Sequence, residues 1–276
     1  MADNRAIGIF DSGLGGLTVL AAIKKKLPHE HLIYFGDTAR VPYGSKSRET
    51  VIRYSLEIQE FLARQDVKMI VVACNTASSH ALDEMRSKYD IPVMGVVEPG
   101  VRALSSHAQN SGQGISGMIK RAAVIATRST IKSGSYEAAM KAINPEVFLY
   151  SKACPLLVPL IEEGFTDRKA TEMILREYLD EIIREDIGHI ILGCTHYPLL
   201  KSVIERLYPQ ITLIDSSVET ANMLDELLTR RGLKNDSGAG AIIKLFVSDI
   251  TDSLLDMEKL FFGGTIDSVE KVSLGW

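Results

Sequence analysis

Residues 69–79 read MIVVACNTASS, and residues 189–200 read HIILGCTHYPLL. Each is a short apolar run that ends in a small residue, then a cysteine, then polar residues and a helix start. Residues 69–73 and 189–193 have the length and β-branched content of strands buried on both faces of a parallel sheet. Residues 76–79 and 195–198 supply helix caps and a proline that a first helical turn accepts. The pattern predicts strand–cysteine–helix twice over, and with it an α/β fold. Cys74 and Cys194 then stand just past the carboxyl ends of two strands, where open α/β sheets place their ligands. A helix amino terminus facing a thiol favours the thiolate. One such cysteine alone is as well read as a small buried hydrophobe. Two in the same setting suggest a matched pair of reactive groups.

Outward from these stretches the elements alternate. Residues 6–10 predict a strand, followed by Asp11, a glycine-rich loop and a helix over 17–27 that Pro28 closes. The loop lacks the third spaced glycine of GxGxxG and the Lys-Ser/Thr pair of a P-loop, so nucleotide binding is not expected. Asp11 reads either as a helix cap or as a carboxylate aimed into a cleft. A strand over 31–36 runs into a long turn-rich loop, of the kind that carries function. The helix expected over 47–65 turns Val51, Ile52, Ile58, Phe61 and Leu62 inward. A strand over 91–97 leads into a short helix. Residues 105–120, rich in Ser, Gly, Gln and Asn, read as a surface connection where the domain changes.

Beyond it the order repeats. Strands are expected over 121–126 and 147–150, and helices over 131–143 and 166–186. Asp11 and Thr127 are separated by nearly the same offset as Cys74 and Cys194, the signature of two similar α/β halves. A late strand over 242–247 is expected to return to the first half. The domains expected are 1–102 with 216–276, and 103–215, each a mainly parallel sheet flanked by helices, with the two thiols facing each other across a cleft between the halves.

Composition narrows the function. The 276 residues suffice for two modest cores. With 46% hydrophobic and 24% charged residues the chain is an ordinary globular protein. A net charge of −4 gives no general attraction to nucleic acid or anionic membrane, so an anionic substrate needs local donors. No signal peptide is visible, no run approaches the roughly 18 apolar residues of a span, and three scattered cysteines make no disulfide framework. A cytoplasmic protein with reduced thiols is expected.

Two like groups on opposite faces of a substrate suit inversion of a stereocentre, because base and acid exchange roles when the reaction runs backward. Cysteine, with a reference pKa near 8.5, serves as either after modest tuning. The rivals are a dithiol redox protein, a metal site with His196, a single Cys–His nucleophile, and a small-anion binding module. None has a Cys-x-x-Cys or a metal-spaced ligand pair behind it. For the substrate's carboxylates, backbone N–H and hydroxyl donors are expected, with Arg40 as an alternative. Cys154 reads as structural, and His29, His31, His80, His107 and His189 as ordinary histidines.

IGIFDSGLGGLTVL, GDTARVPYGSKS, VVACNTASS, GVVEPG, ACPLLVPLIEEG and LGCTHYPLL, in that order and spacing, resemble the successive signatures of glutamate racemases of the aspartate/glutamate racemase superfamily. The resemblance implies interconversion of L- and D-glutamate without a cofactor or metal, supplying D-glutamate for peptidoglycan. An aspartate racemase of the same superfamily is the alternative. It implies Cys74 and Cys194 as the acid/base pair, assisted by Asp11, Glu162 and His196. Asp11, Ser12, Tyr43, Gly44, Asn75, Thr76, Thr195 and His196 are implied to bind the substrate. The expected partners are glutamate and a second copy of the chain as a homodimer, with no nucleic acid or membrane. Two departures stand out: Arg128 replaces a small or acidic residue, and the stretch 111–120 is longer than the family's minimal pattern.

Overall fold

The computed structural model describes residues 3–110, 119–235, 240–250, 254 and 266–274, and of 107–110 the backbone alone. Four strands open the chain: β1 (Ile7–Asp11), β2 (Leu32–Gly36), β3 (Met69–Val72) and β4 (Val93–Gly95). Four more follow: β5 (Arg121–Ala126), β6 (Phe148–Ala153), β7 (His189–Gly193) and β8 (Thr212–Asp215). The chain then adds β9 (Ile243–Val247) and β10 (Ser268–Lys271). They form two sheets, ordered β10-β9-β2-β1-β3-β4 and β6-β5-β7-β8. All the described ladders are parallel. The order β2-β1-β3-β4 recurs as β6-β5-β7-β8, so the repeat read in the sequence is a repeat of topology.

Inner strands such as β3 and β7 are buried on both faces of their sheets, which is why they read as apolar runs. In β3, Met69 and Val71 point to one core and Ile70 and Val72 to the other, as the two-residue period of a strand requires. Helices α1 (Leu17–Lys26) and α11 (Ser216–Arg231) pack Leu20, Ile23, Leu224 and Leu228 on the first face. Helices α2 (Arg48–Arg64) and α3 (Asn75–His80) cover the second, and α4 (Leu82–Lys88) follows α3 across a break at Ala81. In α2, Val51, Ile58 and Leu62 are buried as expected, whereas Ile52 and Phe61 are only partly so. Ser55 and Gln59 complete the buried face, with the Gln59 amide donating to the Met85 carbonyl at 2.8 Å.

The second sheet is flanked by α5 (Val97–Asn110) and α7 (Ser135–Ile143) on one side. On the other lie α8 (Leu157–Glu162), α9 (Lys169–Arg184) and α10 (Lys201–Leu207). Several expectations need correction here. Residues 105–110 are not a surface connection but the end of α5, whose Val97, Val101 and Leu104 enter the core. Pro99 sits in that helix's first turn, where no backbone N–H is needed. The longer stretch expected over 111–120 falls largely on 111–118, outside the described residues. Strand β6 runs on through Ser151 and Lys152, because an edge strand keeps polar side chains half in solvent. The helix expected over 131–143 is two: α6 (Arg128–Ser133) and α7, divided at Gly134, whose φ of 67° is left-handed.

As expected, β9 returns to the first sheet, pairing with β2. Lys68 fastens that return. Its side chain, wholly buried, pairs with Glu30 at 2.5 Å and donates to the carbonyls of Asp3 and Leu233 at 2.7 Å each. The other Glu30 oxygen accepts from the Asn235 N–H at 2.9 Å. The described residues include no helix long and apolar enough to cross a membrane.

Candidate active site

The reversal of strand order falls between β1 and β3 in one sheet and between β5 and β7 in the other. Asp11 ends β1, Cys74 follows β3, Thr127 follows β5 and Cys194 follows β7. These four strand ends meet around one cavity of about 660 Å³, lined by Cys74 and Cys194 together. The three cysteines are free thiols.

Cys74 is the N-cap of α3, its sulfur accepting from the Ala77 N–H at 3.5 Å. Burial pushes its thiol up to about 12, with the charge of Asp11 adding to the effect and the Ala77 and Ser12 hydrogen bonds opposing it. Asp11 itself is wholly buried behind the cavity wall. One of its carboxylate oxygens accepts from the N–H groups of Gly13 and Gly16, both at 3.1 Å. The other accepts from the Thr195 hydroxyl at 3.4 Å, across the two halves. Burial raises the Asp11 carboxyl, against the pull of His196 and those backbone donors. Asp11 thus holds the glycine-rich loop through the Gly13 and Gly16 N–H groups and lies behind the cavity wall rather than lining it, a correction to both readings, helix cap and carboxylate aimed into the cleft.

Cys194 is followed by a 3-10 turn, Tyr197–Leu200, before α10. Its sulfur lies 3.8 Å from His196 Nδ1, and His196 Nε2 lies 3.2 Å from Glu162 Oε1. Burial opposes a charge on His196. The Cys194 and Glu162 hydrogen bonds and the charges of Cys194 and Asp11 outweigh it, holding the imidazole up at about 10. Glu162, at the end of α8, is 39% exposed and stands at the cavity mouth.

Two glycines permit the halves to approach. A Cβ on Gly15 would lie 2.6 Å from the His196 ring and the Thr195 hydroxyl, and one on Gly44 would lie 2.7 Å from Thr127 Cβ. Hydroxyls close the same seam. Thr76, Thr127 and Thr130 form a triangle with edges of 3.0, 3.1 and 3.0 Å. Asn75 Oδ1 accepts from Tyr136 at 2.6 Å, while its buried Nδ2 has no hydrogen-bond partner among the described residues, leaving a donor at the cavity wall.

Ser12, Tyr43, Gly44, Asn75, Thr76, Thr195 and His196 all line the cavity. The Tyr43 hydroxyl, however, is committed to Asp37. Arg40 is not at the cavity: it pairs with Asp37 and Glu57 and stacks on Tyr54 at 3.9 Å. Cys154 and His80 line the wall as well. Cys154 follows β6, in the same sheet whose strand β7 leads into Cys194. His80 Nε2 lies 2.9 Å from Ser129 Oγ across the seam. Sequence reasoning also missed Arg48, Arg128 and Lys132; only Arg128 carried a signal, as a departure from pattern. Among the described residues no group of three or more His, Cys, Asp or Glu is arranged to hold a metal ion.

This geometry defines a class: a two-half α/β protein with one thiol from each half on a shared cavity. The sequence model of Asp/Glu/Hydantoin racemases matches residues 16–224, and the chain belongs to that family. It is 47% identical to a glutamate racemase of Geobacter metallireducens over 271 residues, covering 98% of this chain and 97% of the relative. It is similar in structure to the glutamate racemase of Francisella tularensis in complex with D-glutamate. The TM-score is 0.89 at 37% identity, covering 99% of this chain and 98% of that one. A glutamate racemase isoform of Bacillus anthracis gives 0.90 at 36% identity over the same shares of the two chains.

Proposed function

We propose that the chain is a glutamate racemase that interconverts L- and D-glutamate by proton transfer at Cα between two cysteines. The observation that carries this reading is that Cys74 and Cys194, at equivalent strand ends of two sheets, line one cavity. One sulfur, as thiolate, takes the Cα proton; the electron pair left on Cα delocalises into the α-carboxylate. The opposite thiol then gives its proton to the other face. A base on one side becomes the acid for the return, as reversibility demands.

The surroundings assign the starting roles. Cys74, pushed up by burial and Asp11, is the thiol of the pair. Cys194 has a protonated His196 beside it, itself backed by Glu162, as counter-charge for a thiolate. Asn75 Nδ2, which has no hydrogen-bond partner among the described residues, offers a donor for a substrate carboxylate. The reaction needs no pyridoxal phosphate or metal. Dialysis against a chelator should leave activity intact; loss restored by metal would contradict this. The product would feed peptidoglycan synthesis in the cytoplasm, with the enzyme working as a homodimer, which light scattering of the eluted peak would test. Domain division at 1–102 with 216–276 and at 103–215 belongs to the same reading.

The deciding experiment supplies purified protein with L-glutamate or D-glutamate alone and follows optical rotation. Both samples should converge on zero rotation. No change from either side would overturn the proposal.

A further inference from the structure

The cavity exceeds its two thiols in extent. A volume of about 660 Å³ lies in the range of sites for drug-sized ligands, more than a five-carbon amino acid fills. Its wall away from the cysteines is cationic. Lys46 and Arg48 reach it from the loop before α2 and from α2's first residue, and Arg128 and Lys132 from α6. Arg48 is paired with Glu84 at 2.7 Å. Lys46, Arg128 and Lys132 have no carboxylate partner among the described residues. The one acid lining the cavity, Glu162, is turned to His196. A chain of net charge −4 thus presents a locally positive chamber at its cleft. Charge of the wrong sign for the molecule as a whole, left unpaired on a concave wall, is a mark of ligand attraction.

We propose that Lys46, Arg128 and Lys132 make the outer part of this cavity an anion-binding vestibule that takes small multivalent carboxylates. It draws a dicarboxylate substrate toward the thiols and admits larger polycarboxylates as competitors. The proposal rests on the racemase reading for its substrate but not for its site. Charges several ångströms from a bound anion act through solvent, so salt weakens them over a screening length of about 10 Å at 0.1 M. Their effect falls on KM, because they touch no reacting atom.

The test compares wild type with R128E/K132E and, should that variant misfold, with R128Q/K132Q and K46Q. Initial racemisation rates are measured from both enantiomers between roughly 20 mM and roughly 500 mM sodium chloride, a range that spans strong to weak screening. In wild type KM should rise several-fold with salt. In R128E/K132E, KM at low salt should be about 3- to 10-fold higher, as solvent-screened Coulomb energies imply, and should meet the wild-type value at high salt. Citrate at constant ionic strength should compete with glutamate in wild type and lose most of its potency in the variants. Calorimetric titration with citrate reads the vestibule even in a protein that racemises nothing. A salt-independent KM, or citrate binding equally to wild type and variants, overturns the vestibule and leaves the racemase reading untouched.

Discussion

Cys74 and Cys194 occupy equivalent places in two copies of one topology, yet their surroundings are built differently. Cys74 caps a helix and has a wholly buried carboxylate, Asp11, at its back. Cys194 precedes a 3-10 turn and has an imidazole, His196, at 3.8 Å with a carboxylate behind it. The repeat supplies position. The residues that differ between the halves supply charge. A symmetric pair of side chains therefore meets unlike electrostatic surroundings on its two sides.

The comparison breaks most completely with Cys74→Ala and Cys194→Ala. Each should abolish inversion, with a rate loss of at least about 10²–10⁴-fold, the usual worth of a positioned acid or base. In deuterated water the surviving thiol should still exchange the Cα proton of one enantiomer only, and the two variants should select opposite enantiomers by NMR. Inversion retained in either variant rules out the two-base reaction.

Asp11→Asn and His196→Asn probe the two sides separately, at a cost on the order of 10²-fold. Because the equilibrium constant of a racemisation is one, kcat/KM must stay equal in both directions. The asymmetry should appear in kcat and in the isotope effect with Cα-deuterated glutamate. Asp11→Asn should enlarge that effect from one enantiomer and His196→Asn from the other; the same enantiomer in both would remove the division of labour.

Stability should show the difference through pH. His196 holds its proton up to about pH 10 when folded, above its ordinary value of 6.5. The pairing therefore contributes fully below about 6.5 and is lost as pH rises through about 10. Cys74, raised from 9.0 to about 12, adds to the decline above about pH 9. Urea midpoints should fall across this window, with the slope flattened from 6.5 upward in His196→Asn and only in its alkaline part in Cys74→Ala. The smallest effect belongs to Cys154→Ala. Racemisation should persist, at a packing loss of about 1 kcal/mol in the midpoint.

The two cysteine segments were legible because a strand buried on both faces has one composition and little freedom. Residues 189–193 were bounded to the residue. Elements with an exposed side were not. In β10 Ser268 is half-buried and Val269–Lys271 are exposed, so no apolar run marks it. The polar end of α5 imitates a linker, and Ser151 and Lys152 in β6 imitate a loop. At the site, residues beside a motif could be read, such as Ser12, Asn75 and His196. The positive wall from Lys46 to Lys132 could not. Its members are neighbours only after α6 of one half is laid against the loop before α2 of the other.

The parallel strand that β9 lays beside β2 has a bearing on how the polypeptide is made. The four-stranded sheet is complete once Asp215 has been synthesised. The six-stranded sheet begins earlier but must wait for Ile243–Val247 and then Ser268–Lys271. The Lys68 side chain, committed in a region already translated, has to wait for the Leu233 carbonyl and the Asn235 N–H to surround its ion pair. Vectorial synthesis ordinarily folds the amino-terminal unit first. Here the half that leaves the ribosome first is finished last. Until then, the β2 edge and the apolar residues beneath α11 are the surfaces a nascent-chain chaperone would find.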